Sequence, residues 1–565
     1  MADGTTLSDP RTLRARSERW IADDPDPDAR AELRALLERD ATDELAERFA
    51  HGLSFGTAGL RGPLGAGPAR MNVATVRGAS AGLARYVLDA VEGAADAGIV
   101  VGHDARHGSA RFAAEAAAVF SGAGLRTRRL PPLAPTPLLA FAVRQLGCAA
   151  GVMVTASHNP PRDNGYKVYL GDGAQISPPA DRDIAAAIDA VGPLSDVPLG
   201  DGGDALGDEV AEAYLRAILG ALPASEARAL QIAYTPLHGV GAKLCLEAFA
   251  RAGFTDPHVV AEQADPDPDF STVQRPNPEE PGTLDLGLAE ARRTGADVLL
   301  ANDPDADRLA VAIPEGGDWR VLHGDEIGAL LADFLLERAA RPEQALLVTT
   351  IASSTLLARM AEASGARYAE TLTGFKWIMR AVAAAPEHRL VLGYEEALGY
   401  AVFDGVRDKD GISAALVIAQ LAAHERQAGR TLADRLEAIA ARFGRHATAP
   451  IALELTGAGG REAMRGIIAR VRERPPAALL GRPLTCVDDV ATGVRRHADG
   501  REEPLELPRS DVLVLRAEGA RVVIRPSGTE PKLKVYLEVV VDGDRRAAAD
   551  ALARLRAEVE SVMVA

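Results

Sequence analysis

Cysteine is scarce in this 565-residue sequence: Cys148, Cys245 and Cys486 lie far apart, with no CxxC spacing. That excludes a disulfide framework and a cysteine-based zinc site, and it fits a reducing compartment. Long apolar runs are missing as well, and no stretch of about 18 apolar residues is present to span a bilayer. The opening residues MADGTTLSDPRT lack the apolar core of a signal peptide. A cytoplasmic protein without a membrane partner is therefore expected. Positive charge is in deficit, with Lys+Arg 63 against Asp+Glu 80 and a formal net charge of −17. Nucleic acid and anionic membrane both call for a basic face and are disfavoured as partners. An anionic small molecule is not, because a local cluster of Arg and Lys overrides the global sign.

What is present is an ordinary globular composition, 47% hydrophobic and 25% charged, in a chain too long for one core. Length alone points to roughly three to five domains. Residues 11–50 read as two helices, with Leu33, Leu36 and Leu37 at helical spacing and Asp26 or Asp28 as a cap. From about residue 70, helices alternate with apolar strands such as IVVG (99–102) and GVMV (151–154). The pattern restarts at LQIAYT (230–235) with DVLLA (297–301) and LAVAI (309–313). It restarts again at ALLVTT (345–350) with RLVLG (389–393). Such alternation implies largely parallel sheets with helices on their faces. GDGGDALGD (200–208) and PEGGD (314–318) read as linkers. Beyond about 447 the strands DVLVLRAEG, ARVVIRP and LKVYLEVVV precede a last helix, an α+β unit. Domains are expected over 1–205, 206–316, 317–446 and 447–565. Ligand sites in open α/β sheets lie at the carboxyl ends of strands, so those loops carry the functional candidates.

In ANDPDADRLAV, Asp303, Asp305 and Asp307 follow a buried strand at alternate positions. Alternation puts three carboxylates on one side of an extended loop, an all-oxygen site for a hard cation such as Mg²⁺. The alternative is an acidic turn. An EF-hand fails, because Arg308 and Pro314 stand where Gly and Glu are needed. A phosphatase motif with an Asp nucleophile is a poor match too. DPDPDF (265–270) has the same spacing with no strand ahead of it and reads as a structural loop. RPSGTEPK supplies Arg525, Ser527, Gly528 and Thr529, donors suited to a phosphate, or else a plain hairpin turn. In GYEEALGY, Glu395 and Glu396 can accept hydrogen bonds from sugar hydroxyls while the flanking tyrosines offer apolar surface, or they simply open a helix. FGTAGLRG carries Arg61 or is a plain surface turn, and NGYKVY and TGFKWI carry Lys167 and Lys376, which taken singly read sooner as solvated lysines.

Together these loops resemble the α-D-phosphohexomutase family, the phosphoglucomutases, phosphomannomutases and relatives. TASHNP, DPDADR, GYEEALG and RPSGTEPK look like its four signatures in order, and the resemblance spans about residues 45–560. FGTAGLRG, YTPLHGVG, TGFKWI and VRDKDG are similar to the subgroup with phosphopentomutase and glucose-1,6-bisphosphate synthase. The resemblance implies three similar mixed-sheet α/β domains plus a C-terminal α+β domain around a central cleft. It implies Ser157 as the phosphoserine, and Asp303, Asp305 and Asp307 as Mg²⁺ ligands with a phosphoserine oxygen completing the site. It implies Glu395, with Glu396 beside it, on the sugar, and Arg525, Ser527, Gly528 and Thr529 on the phosphate that is not transferred. Arg61, His158, Lys167 and Lys376 become candidates for phosphate stabilisation or acid/base work. The implied reaction moves phosphoryl between C1 and C6 of a hexose phosphate through a hexose 1,6-bisphosphate, which also serves as activator. Mannose or ribose phosphates are alternatives, and a sugar-phosphate phosphatase is a more remote one. Ala397 stands where hexose-specific relatives carry serine, which makes a pentose phosphate more plausible. Monomer and dimer are both left open.

Overall fold

Pro27 in the first turn and the Asp26 carboxylate, which accepts the Asp28 amide at 3.1 Å, start the helix Pro27–Glu38 where the leucine spacing calls for one. Two helices are expected over residues 11–50, and three form: Pro10–Asp23, Pro27–Glu38 and Thr42–Phe49. Asp40, at φ 49°, turns the chain between the last two. The computed structural model describes residues 10–56, 59–223, 225, 227–454, 460–526 and 532–564. Two compact units make up the chain, Met1–Val321 with Gly399–His424, and Leu322–Leu398 with Glu425–Ala565. Among the described residues, no helix is long and apolar enough to cross a membrane.

The first unit holds two mixed sheets. In one, Ile99–His103, Thr127–Arg129 and Ala150–Val154 run parallel, as the alternation of helix and strand requires. Asp163–Leu170 then pairs antiparallel with Ala150–Val154 on one side and with Leu60–Pro63 on the other. In the second sheet, Ile232–Thr235 lies parallel to Val298–Asn302, which pairs antiparallel with Leu309–Glu315. PEGGD is no linker. Gly316 (φ 61°) and Gly317 (φ 88°) form a hairpin turn, leading from Leu309–Glu315 into the antiparallel strand Asp318–Val321.

The second unit contains the third α/β sheet, with Ala345–Thr350 flanked in parallel by Arg367–Thr371 and Arg389–Glu395. It also contains a fully antiparallel C-terminal sheet in the order Arg445–Glu454, Lys532–Val541, Ala520–Pro526, Leu513–Ala517, Arg482–Asp489, Val494–His497, Glu502–Pro504. This sheet begins with Arg445–Glu454, a strand the sequence reading does not anticipate. Three mixed α/β sheets plus one antiparallel sheet is the expected fold class.

A buried polar cluster joins the two parts of the second unit. Glu538 Oε1 accepts from Ser354 Oγ (2.7 Å), the Thr355 amide (2.8 Å) and Thr355 Oγ1 (3.0 Å), with His446 Nδ1 at 2.9 Å. Arg521 Nε lies 3.0 Å from Glu538 Oε2, and the same guanidinium donates to the Ser353 carbonyl. Asp325 accepts from the Ser354 amide (2.7 Å), Tyr394 (3.0 Å) and Thr448 (2.7 Å). Burial alone would raise the Glu538 carboxyl, but Arg521, His446 and Ser354 outweigh it and hold the group at about 2. A carboxyl held this low stabilises the fold fully above its ordinary value of 4.5, and that stabilisation is lost as pH falls toward 2. Glu538→Gln is therefore expected to lose about 3 kcal/mol at pH 7. The deficit against wild type should shrink below about pH 4.5. Urea unfolding across that range measures it, and a pH-independent difference would rule it out.

Candidate active site

The strand Ala150–Val154 delivers the chain to a tight loop in which Ser157 adopts φ 50°. A serine in the left-handed region is uncommon and is held there by its surroundings. Thr155 Oγ1 accepts the Ser157 amide at 2.9 Å, and Asn159 donates back to the Ala156 carbonyl at 3.1 Å. The result is a buried serine whose Oγ donates to Asp303 Oδ2 at 2.8 Å and lies 3.1 Å from His158 Nδ1. His158 is half-buried. Burial and the Arg308 and Arg61 guanidiniums push its imidazole well below the usual range, so it is neutral at pH 7.

Asp303, Asp305 and Asp307 sit between Val298–Asn302 and Leu309–Glu315. The segment is a tight turn, where an extended loop is expected: Ala306 has φ 56° and donates to the Asp303 carbonyl at 2.9 Å. The carboxylates still converge, with one oxygen from each within 4.8 Å of the others, and all three are buried. The loop is braced from Tyr234–Gly241, the YTPLHGVG segment. Val240 donates to the Pro304 carbonyl at 2.8 Å. A Cβ at residue 239 would come within 2.4 Å of both Cα and the carbonyl oxygen of Pro304, so only glycine permits this approach.

Lys167, which taken singly reads as a solvated lysine, is buried on the strand Asp163–Leu170, second from the edge of its sheet. Its Nζ contacts Asp305 Oδ2 at 2.7 Å and Asp307 Oδ2 at 3.1 Å. Sequence reasoning misses a second buried ammonium, Lys409, 3.2 Å from both Asp307 Oδ2 and Asp408 Oδ1. Asp408 in turn accepts from Tyr169 at 2.7 Å and Gln175 at 2.9 Å. The only signal in sequence was VRDKDG, a charged run just before a buried helix. Burial and the two neighbouring aspartates drive the Asp303 carboxyl well up. Asp305 is driven well down in spite of burial, by Lys167 and by Thr136, whose hydroxyl donates to it at 2.6 Å. Four buried carboxylates thus face two buried ammoniums. Asp305 Oδ1 and Asp307 Oδ1 are buried with no hydrogen-bond partner. Orphaned hard oxygens beside an excess of negative charge fit a divalent cation. On the rim, the exposed Arg61 donates to Asn159 Oδ1 at 3.1 Å, and Arg308 reaches Glu279 at 3.2 Å.

The remaining candidates lie in the second unit. Glu396 Oε2 accepts from Thr350 (3.1 Å) and Ser353 (3.2 Å). Burial, with Glu395 and Asp325 beside it, pushes its carboxyl up to about 7. Tyr394, on Arg389–Glu395, and Tyr400, on Gly399–Ala401 of the first unit, are each fully buried and present no apolar surface, contrary to expectation. Lys376 is half-buried at the start of the helix Phe375–Ala383. Arg525 is the penultimate residue of the strand Ala520–Pro526. Ser527, Gly528 and Thr529 lie outside the described residues.

Four domain families match the chain. They are phosphoglucomutase/phosphomannomutase alpha/beta/alpha domains I (residues 52–193), II (212–316) and III (323–443), and the C-terminal domain (487–559). A probable phosphomannomutase of Haemophilus influenzae is 41% identical over 83% of this chain and 93% of its own length. A probable phosphoribomutase of Schizosaccharomyces pombe is 37% identical over 92% of each chain. A phosphoglucomutase of Staphylococcus aureus is 34% identical over 89% of this chain and 92% of its own. In fold, the chain is similar to a phosphoglucomutase/phosphomannomutase family protein of Burkholderia thailandensis (TM-score 0.67, 20% identity, 90% of this chain and 97% of that one).

Gly239→Ala is expected to displace Pro304 and spread the three aspartates, weakening Mn²⁺ binding at least about tenfold in a folded protein, as read by electron paramagnetic resonance titration. Unchanged affinity would show that the brace does not matter. For Glu396, a carboxyl raised in the fold stabilises it fully below 4.5, and the benefit is lost as pH rises toward 7. Glu396→Gln should therefore gain roughly 3 kcal/mol on wild type between pH 4.5 and 8. This is opposite in sign to the Glu538 effect, and thermal unfolding at the two ends distinguishes them.

Proposed function

Since this chain belongs to the phosphoglucomutase/phosphomannomutase family, the α-D-phosphohexomutases, we propose that it is a phosphosugar mutase interconverting glucose 1-phosphate and glucose 6-phosphate through phosphoserine at Ser157. The observation that carries the reading is the Ser157 hydroxyl, 2.8 Å from a buried aspartate of a metal-type triad. Asp303, Asp305 and Asp307 would hold Mg²⁺. When bound, that ion neutralises charge at the transferring phosphoryl group, where phosphoserine adds about two negative charges to an already acidic site.

The sugar's free hydroxyl oxygen forms a bond to phosphorus as the Ser157 Oγ–P bond breaks. The hydroxyl proton passes to a site base, and Ser157 Oγ is left hydrogen-bonded by its neighbours. The bisphosphate then presents its other phosphate to Ser157 Oγ. A new Oγ–P bond forms, the sugar O–P bond breaks, and the leaving sugar oxygen takes a proton back. Neutral His158, 3.1 Å from Oγ, is placed to hold the Ser157 proton. Lys167 is suited to another task. Its ammonium is held charged by Asp305 and Asp307 against the pull of burial, so it compensates carboxylates and is a poor base. Arg61 would stabilise phosphate, and Lys376 is assigned the same work. Glu395 and Glu396 would bind sugar hydroxyls, and Arg525 with Ser527, Gly528 and Thr529 would hold the phosphate at rest. Burial of Ser157 and the triad keeps water from the phosphoserine.

Ala397, with no hydroxyl beside the two glutamates, favours a second reading in which the sugar is a pentose phosphate. The similarity to a phosphoribomutase supports it. Turnover of glucose 1-phosphate, mannose 1-phosphate and ribose 1-phosphate, each with and without a hexose 1,6-bisphosphate, separates these sugars. Release of free phosphate with no need for bisphosphate would instead mark a phosphatase. Ser157→Ala should keep the fold by circular dichroism and lose at least about 10⁴-fold in isomerisation, since the covalent route is removed. Ordinary turnover in that variant would refute the reading.

A further inference from the structure

The serine loop is gathered around an arginine whose ion pair is with Asp104 and not with the triad. Arg106 lies in the turn after Ile99–His103 and is buried. Its Nη2 donates to the carbonyls of Ser157 and Asn159, and its Nη1 donates to those of Pro160 (2.8 Å) and Asp163 (3.1 Å). Four carbonyls of one short loop converge on a single planar fork. Two of them, from Asn159 and Pro160, precede prolines, so turning them inward strands no amide donor.

The guanidinium is itself fixed. Asp104 Oδ2 is 3.5 Å from Arg106 Nε, and Asp104 Oδ1 accepts from the Arg106 amide (3.0 Å) and Ser109 Oγ (2.6 Å). The ring of Phe270 packs against the guanidinium, its centroid 4.8 Å from Cζ. Phe270 is the last residue of DPDPDF, the acidic loop that reads from sequence as structural. Thr155 Oγ1 accepts the Ser157 amide at 2.9 Å. Ser157 is therefore gripped at both peptide groups, the N–H by Thr155 and the C=O by Arg106. Those two bonds define its left-handed φ of 50°, and that φ aims Oγ at Asp303.

We propose that Arg106 is the positioning residue for phosphoryl transfer: its guanidinium clamp holds Ser157 in the left-handed conformation, so that Oγ occupies one place as both donor and acceptor of phosphoryl. The proposal rests on the mutase reading. A lysine here keeps the charge but presents a point donor that cannot reach four carbonyls.

The test compares wild type, Arg106→Lys and Thr155→Val for kcat and KM with the preferred sugar phosphate, alongside amide hydrogen exchange of the 157–163 loop. Arg106→Lys should lose about 100-fold in kcat with KM within about threefold, because the nucleophile is misplaced while the substrate contacts remain. Exchange in the loop should accelerate at least about tenfold. Thr155→Val, near-isosteric and expected to fold, should lose about tenfold in kcat and covers the case in which Arg106→Lys does not fold. A purely structural arginine would lower Tm while leaving kcat per folded molecule unchanged. That result, or wild-type kcat in Thr155→Val, overturns the proposal. Wild type that isomerises none of the sugar phosphates overturns the mutase reading instead, and loop exchange in Arg106→Lys then decides the clamp alone: unaccelerated exchange overturns it, and accelerated exchange supports it.

Discussion

Everything in the first unit depends on a shortage of positive charge in one buried place. Asp303, Asp305, Asp307 and Asp408 are sequestered together, and among the described residues Lys167 and Lys409 are the ammoniums paired with them. Ions stripped of water are costly unless paired, so an incomplete set of counter-charges is a standing demand for a cation. The two ammoniums take the Oδ2 atoms of Asp305 and Asp307, and the Oδ1 atoms are left free. Charge and geometry thus divide each carboxylate between a permanent partner and an exchangeable one. The serine is oriented by the same set, because Asp303 is both its acceptor and the member of the triad that no lysine neutralises.

The second unit handles buried charge in the opposite manner. Around Glu538, donors and cations are in surplus, and the carboxyl is pulled down. Only a few residues away through Ser353 and Ser354, Glu396 lacks a cation and is pushed up. One polar cluster secures the C-terminal sheet to the third α/β sheet. The other leaves a carboxyl near neutrality that can change its state at little cost, which suits contact with neutral hydroxyls.

Much of this was legible in sequence where the chemistry is local. TASHNP and DPDADR concentrate a hydroxyl and three carboxylates in a few residues at strand ends, and composition alone sets such stretches apart. What escaped was contributed from far along the chain. Arg106 lies 51 residues before Ser157 and meets it only through the sheet. Lys409 meets the triad by a return of the chain that no spacing reveals. Lys167 looked ambiguous because antiparallel pairing on both sides of Asp163–Leu170, which buries it, is invisible in NGYKVY. Arg445–Glu454 escaped because Pro450 argues against a strand; it is tolerated at the sheet edge, where one side of the ladder needs no donor. Thr42–Phe49 does not stand out as a separate helix because the break before it, Asp40, is a non-glycine in the left-handed region.

The return of Gly399–His424 to the first unit has a consequence for how the protein is made. A ribosome releases Ser157 and the aspartates well before Lys409, and it must synthesise the whole third sheet in between. Until Asp408 and Lys409 emerge together, the nascent first unit carries the three triad carboxylates with a single ammonium, and Asp307 lacks its second lysine. Vectorial folding of the N-terminal half is therefore electrostatically incomplete, and an early divalent ion, or a holding chaperone, would bridge the interval before the second lysine arrives.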